Sequence, residues 1–286
     1  MEPLSAWFEN EIFGPAGIGA AGGFPQVITL VGSGGKTSLL WHLARRLSRP
    51  SAEGETPAAE QGHTGYALRR VLVSPSTKMR PPPPEAGVVR TIFSKDACRE
   101  GSRRPAPPGI TFAGSFNEKT GKVESLPLHE LERLAAGYDL VLVEGDGSRE
   151  LPLKGWADYE PVIPACTTLT LGILPLSPLG MPADERIIFR LPEFCALSGA
   201  SPGGILGAGH LARVISGNPA GDRAKPENRG LFASARGEKI LFFNQVEDEA
   251  ALAQAGKIVS LLPSAFRPGL RRAIAGSVWQ DRVWVL

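Results

Sequence analysis

An α/β fold is what this chain predicts: a three-layer sandwich with a mostly parallel central sheet and an inserted hairpin and loop region. Three observations carry that expectation. Short apolar, β-branched runs such as Val27-Ile-Thr-Leu-Val31 and Leu140-Val-Leu-Val143 lack the alternation of a half-wet sheet, so both of their faces are buried. Leucine-patterned helical stretches lie between such runs, which favours crossover connections and parallel strands. The first run ends in glycines, and a helical pattern starts at once behind them.

The elements follow in order. Leu4–Phe13 predicts a short helix with one apolar side, and Gly14–Gly23, rich in glycine and alanine, a flexible lead-in. Residues 1–25 are thus set apart from one α/β domain over residues 26–286. A strand starts at Gln26, and a helix over Lys36–Ser48 repeats Leu39, Leu40, Leu43 and Leu47 at helical spacing. Arg45, Arg46 and Arg49 suit its C-terminal dipole, and Pro50 stops it. Ser51–Gly65 has hardly an apolar anchor and predicts a disordered loop. Arg70–Ser74 and Val88–Phe93 read as strands, with an extended polyproline stretch over Pro81–Pro84. Gly109–Ala113 and Lys122–Glu124 flank Asn117-Glu-Lys-Thr-Gly121 as a hairpin. Leu128, Leu131 and Leu134 mark a helix ending at Gly137, before the buried strand Tyr138–Val143. The prolines between Trp156 and Pro164 argue for a shaped loop, and Thr168–Leu174 for another core strand. Phe194–Leu197 and Leu211–Ile215 read as helical, and Gly217–Gly230 as a polar loop in which Arg223 and Lys225 are candidate contacts of low specificity. Lys239–Phe243 is expected as a late strand, Glu247–Ala255 as a helix, Lys257–Leu262 as a strand and Arg282–Leu286 as a terminal edge strand.

Composition excludes several classes. The 286 residues can bury a sizeable core, and 31 basic against 29 acidic residues leave a net charge of +2, with no bulk field that points to nucleic acid or a membrane surface. Cys98, Cys166 and Cys195 are isolated, which argues against a disulfide scaffold or zinc knuckle and for a reducing compartment. His42, His63, His129 and His210 are scattered, so no histidine metal cluster is expected. Met1–Asn10 lacks a basic start and a long apolar core, and no apolar run has membrane length. A cytoplasmic protein is the expectation.

The stretch Val31-Gly-Ser-Gly-Gly-Lys-Thr-Ser38 carries the chemistry. Strand, glycine loop and helix in that order build a phosphate site, because a helix start presents unpaired N–H groups and a partial positive charge. Gly32, Ser33, Gly34, Gly35, Lys36, Thr37 and Ser38 would cradle a nucleoside triphosphate, ATP or GTP. Lys36 would reach the outer phosphates and the Thr37 hydroxyl would ligate Mg²⁺. The loop departs from G-x-x-x-x-G-K-[ST], since Leu30 stands where the first glycine belongs. On this motif the fold reads as P-loop NTPase-like; the plainer alternative is a tight turn with a solvated lysine.

Glu144-Gly-Asp-Gly147 ends another apolar strand. A carboxylate there suits Mg²⁺ or its waters, so Glu144 joins Thr37 as a metal candidate. Gly147 would bring an N–H near a terminal phosphate, and Asp146 would orient a water or an acceptor hydroxyl. Lys36, Glu144 and Asp146 form the candidate catalytic set. Ser74-Pro-Ser-Thr-Lys78 ends the second strand with hydroxyls and a lysine for phosphate or metal contacts, or forms an ordinary polar turn. Phe243-Asn-Gln-Val-Glu247 stands where GTPases carry N-K-x-D, making Asn244 and Glu247 candidates for the base, with Asp248 as a substitute partner. The competing reading is a strand-to-helix junction capped by Asn244.

Several segments together resemble the YqeC family of selenium-dependent hydroxylase accessory proteins. Val31–Thr37 resembles its V-G-A-G-G-K-T loop. Leu142-Val-Glu-Gly-Asp-Gly147 with Leu151-Pro-Leu-Lys154 resembles V-E-A-D-G followed by L-P-L-K. Phe189-Arg-Leu-Pro-Glu193 echoes H-R-P-E loosely, and Phe243–Glu247 resembles N-Q-V-D. The resemblance implies a Mg²⁺-dependent nucleoside-triphosphate-binding protein, a hydrolase or phosphotransferase, that serves in maturing selenium-dependent molybdenum hydroxylases. Its partner would be such a hydroxylase or its cofactor. Two alternatives stay open: a nucleotide-gated delivery factor with little turnover, and a molybdopterin nucleotidyltransferase-like enzyme.

Overall fold

The computed structural model describes residues 2–21, 25–49, 69–93, 106–217 and 229–286. The expected disordered loop Ser51–Gly65 and the candidates Arg223 and Lys225 lie outside the described residues.

The strands are β1 (Gln26–Gly32), β2 (Arg70–Pro75), β3 (Lys78–Met79), β4 (Val88–Phe93), β5 (Gly109–Asn117), β6 (Lys122–Glu124), β7 (Leu140–Glu144), β8 (Leu153–Lys154), β9 (Leu169–Pro175), β10 (Ile188–Phe189), β11 (Glu238–Asn244), β12 (Arg272–Ser277) and β13 (Arg282–Val285). The helices are α1 (Leu4–Phe13), α2 (Lys36–Leu47), α3 (Leu128–Ala135), α4 (Leu191–Ser198), α5 (Ala208–Ser216) and α6 (Glu249–Leu261).

Eleven strands form one sheet in the order β13-β12-β11-β9-β1-β7-β2-β5-β6-β3, with β4 on β5. Every pairing from β12 across to β4 is parallel. The antiparallel pieces are the edge strand β13 and the β5–β6 hairpin with β3 beyond it. A two-stranded parallel pair, β8 with β10, stands apart.

Period-two geometry divides each core strand between two helical layers. Ile28 and Leu30 of β1 pack with Leu142 of β7, Ile173 of β9 and Phe242 of β11, under Leu4, Phe8, Leu39 and Leu43 of α1 and α2. On the other face, Val31, Leu174 and Phe243 meet Phe194, Leu211, Val214 and Ile258 of α4, α5 and α6. Val27, Val141 and Val143 meet Leu131 and Leu134 of α3. The fold is therefore mixed α/β, with a large, mostly parallel sheet and helices on both faces. Among the described residues no helix is long and apolar enough to cross a membrane.

One expected element is corrected. Lys257–Leu262 is no strand, because α6 continues through it to Leu261. The Asp248 carboxylate caps that helix by accepting the Ala251 N–H at 2.8 Å. Ala255, Ile258 and Leu262 then bury one face at helical spacing. The helix penalty of Ile258 and Val259 is a few tenths of a kcal/mol each, which that packing outweighs. The place beside β11 goes instead to β12, whose Arg-Ala-Ile-Ala-Gly-Ser sequence gives little strand signal.

Candidate functional site

β1 sits between β7 and β9, and the chain leaves it toward β2 on one side before later reaching β9 on the other. In open parallel sheets that reversal point is where a crevice opens outside the strand ends. Here the loops after β1, β2 and β7 meet around a cleft of about 770 Å³. Its lining includes Gly34, Gly35, Lys36, Thr37 and Ser38 from the first loop, and Ser76, Thr77 and Lys78 from the second. Glu144 and Gly147–Leu151 come from the third, with Glu160 and Arg190 beyond them.

The glycine loop needs its glycines. Gly32, Gly34 and Gly35 adopt φ values of 104°, 71° and 120°, where a side chain is strained. A Cβ on Gly34 would lie 2.3 Å from the Pro175 ring, and one on Gly35 2.3 Å from the Asn244 amide. α2 starts without a side-chain cap, and its first internal bond is Leu39 N–H to the Gly35 carbonyl at 2.9 Å. The N–H groups of Lys36, Thr37 and Ser38 are thus the unpaired donors of a helix start, and they line the cleft with those residues.

Thr37 and Glu144 are brought together as the sequence suggests: the Thr37 hydroxyl donates to Glu144 Oε2 at 2.9 Å. Burial raises the Glu144 carboxyl above its usual range, and the opposing pull of Lys36 and the Thr37 hydroxyl does not cancel that. A buried carboxylate beside a hydroxyl is a hard oxygen pair that fits Mg²⁺. Among the described residues no group of three His, Cys, Asp or Glu side chains could hold a metal. A cation at this pair would therefore take its other oxygens from phosphate and water.

Lys36 and Asp146 lie under the loop. The Lys36 ammonium donates to the Gly32 carbonyl at 2.5 Å and stands 3.3 Å from Asp146 Oδ1. Asp146 is fully buried and does not line the cleft. It accepts the Gly32 N–H at 3.0 Å, Trp156 Nε1–H at 2.9 Å and Lys154 Nζ–H at 3.2 Å. Burial alone would raise its carboxyl, but Lys154, Lys36 and the Gly32 amide outweigh it and hold it low. Lys154, itself fully buried, also donates to Glu160 at 2.9 Å, and Glu160 pairs with Arg190. A chain of alternating charges thus runs from the glycine loop to the start of α4.

The other sequence candidates take supporting places. Asn244 donates to the Gly34 carbonyl at 2.9 Å and accepts Val278 N–H at 3.3 Å, so it braces the loop and does not line the cleft. Glu247 accepts the Ser277 hydroxyl at 3.0 Å. The junction after β11 is capped by Asp248, where the sequence suggested Asn244. Ser33 is buried and sends its N–H to Ile173 O at 3.0 Å, while its hydroxyl has no partner. Ser76, Thr77 and Lys78 line the cleft as expected of the second strand's end, whereas Ser74 is buried.

Sequence reasoning passed over Lys154, Trp156 and Glu160 as site members. The available signal was a lysine and a tryptophan close behind a carboxylate-bearing strand end.

Residues 61–192 match the family model described as YqeC protein. That span holds Glu144–Gly147, Lys154 and Arg190, and ends just inside α4. The chain is also 29% identical over 198 residues to "Uncharacterized protein YqeC" of Escherichia coli (strain K12), covering 67% of this chain and 68% of that one. Both findings mark a similarity to the YqeC family. Within the matched span, the Leu151-Pro-Leu-Lys154 segment has a physical role, because its lysine neutralises the buried Asp146 that holds the loop.

Proposed function

We propose that the cleft binds the phosphates of a nucleoside triphosphate, ATP or GTP, with Mg²⁺, in a P-loop NTPase-like arrangement. The observation that carries this reading is the meeting of a strained glycine loop, an uncapped helix start and the Thr37–Glu144 pair in one cleft. Amide donors and one ammonium group suit the charge on transferring phosphate oxygens, and phosphoryl chemistry asks for little else from a protein.

Each residue then has a defined task. The N–H groups of Gly34–Ser38 take phosphate oxygens, and Lys36 leaves the Gly32 carbonyl to join them. Thr37 and Glu144 hold Mg²⁺, which neutralises phosphate charge when bound. Asp146 positions the loop through the Gly32 N–H and keeps Lys36 near the cradle. Asn244 fixes Gly34, which makes its contribution to nucleotide binding indirect. The family resemblance supports placing this activity in the maturation of selenium-dependent molybdenum hydroxylases, with a hydroxylase or its cofactor as partner.

Glu144→Gln tests the metal half of this reading. Burial opposes the ionised Glu144, so the neutral amide is expected to raise stability at pH 7 by about 1 kcal/mol without ligand. The same change should remove the Mg²⁺ dependence of nucleotide binding measured with and without chelator. Full retention of that dependence would count against Glu144 as a metal ligand.

A further inference from the structure

The cleft is larger than its phosphate cradle, and the segment after β7 builds the rest of it with the start of α4. Arg149 and Arg190 each place a guanidinium 4.6 Å from the centre of the Phe189 ring, so the two cations lie within twice that distance of each other. Arg190 is engaged by Glu160 and by the Tyr159 hydroxyl at 3.1 Å. Arg149 has no carboxylate partner among the described residues, and neither has Lys122 on the same lining.

The backbone points the same way. Arg149, Glu150 and Arg190 adopt φ values of 53°, 67° and 57°, and they are three of the five described non-glycine residues with positive φ. Glycine would take these conformations at less cost. Non-glycine residues in strained geometry, gathered in a cleft, are a mark of a functional wall. Stacked guanidiniums are pre-organised, and their planar forks match carboxylates and oxyanions. A triphosphate already finds amides, an ammonium group and a metal pair in the cradle, which leaves these arginines unassigned.

We propose that Arg149 and Arg190, stacked on Phe189, form a second anion subsite that holds a carboxylate or oxyanion group of a non-nucleotide ligand. That this ligand is additional to a nucleotide rests on the function proposed above. Lys122 adds positive charge to the same cleft, and Phe189 with Tyr159 offers flat apolar surface beside it.

The test is an NMR titration of the full chain with sulfate and, separately, with acetate, at constant ionic strength set by chloride. One of the two is expected to saturate in the millimolar range and to bind at least ten-fold more weakly to Arg149→Gly. That variant should melt no lower than the parent, since glycine relieves the backbone. Arg149→Lys should fall between them, because charge remains and the fork is lost. Mg²⁺-nucleotide affinity, measured in parallel, should be the same in all three proteins. Equal anion affinity in Arg149→Gly, or no saturation by either anion, would overturn the subsite. A matching loss of nucleotide affinity would also overturn it, by giving Arg149 to the nucleotide. If no protein binds nucleotide while the anion still saturates through Arg149, the subsite stands and the nucleotide reading fails.

Discussion

Lys36→Ala is expected to lose Mg²⁺-nucleotide binding by at least about 2 kcal/mol, roughly thirty-fold in Kd, in a calorimetric titration. Lys36 is 4% exposed, on the first residue of an uncapped helix, and it is the lysine of the glycine loop. Two other described lysines are already engaged: Lys154 is fully buried against Asp146 and Glu160, and Lys78 is paired with Glu124 at 2.8 Å. The fold should survive the change. Asp146 keeps Lys154, Trp156 Nε1–H and the Gly32 N–H, so no buried carboxylate is left bare. Unchanged affinity in a folded Lys36→Ala protein would mean that phosphates bind elsewhere.

Asp146→Asn should act on stability before binding. It removes the negative charge between two buried lysines, leaving Lys154 with Glu160, and Lys36 with the Gly32 carbonyl and the charge of Glu144. Removing one partner of a buried ion pair typically costs about 3–5 kcal/mol, and denaturant unfolding at pH 7 should show a loss of that order. The pH dependence has a definite sign. The Asp146 carboxyl is held low in the folded protein, so its stabilisation is present above the unfolded value of about 3.9 and is lost as pH falls through the folded value. Glu144 is shifted the other way, so its protonated form favours the fold at low pH and that support fades as pH rises through its raised value. Parent minus Asp146→Asn stability should therefore shrink on acidification. A difference that stays flat from pH 7 to pH 3 would contradict the assignment.

The sheet and the glycine loop were readable from sequence because both rest on local chemistry. An apolar, β-branched run buried on two faces looks the same wherever it pairs, and Gly34 and Gly35 are demanded by their own φ values. What could not be read depends on partners distant in the chain. The strand β12 has small residues and one isoleucine, and it forms because β11 offers an open edge. The Lys257–Leu262 run looks β-branched, yet Asp248 nine residues earlier commits it to a helix. Asn244 resembled a base reader because the strand end matched a motif, while its amide in fact braces Gly34, 210 positions away in sequence. Lys154 drew no site role from its sequence neighbours, and its place between Asp146 and Glu160 comes from the fold. The left-handed conformations of Arg149 and Arg190 leave no mark in residue type at all.

The most direct measurement is a crystal structure of the chain with Mg²⁺ and a non-hydrolysable nucleoside triphosphate. The expected result is a β- or γ-phosphate within hydrogen-bond distance of the Gly34–Ser38 amides, Mg²⁺ between Thr37 and Glu144, and the Lys36 ammonium moved from the Gly32 carbonyl onto phosphate. Phosphates bound away from the loop, or Lys36 still seated on Gly32 and Asp146 with the nucleotide in place, would contradict the account.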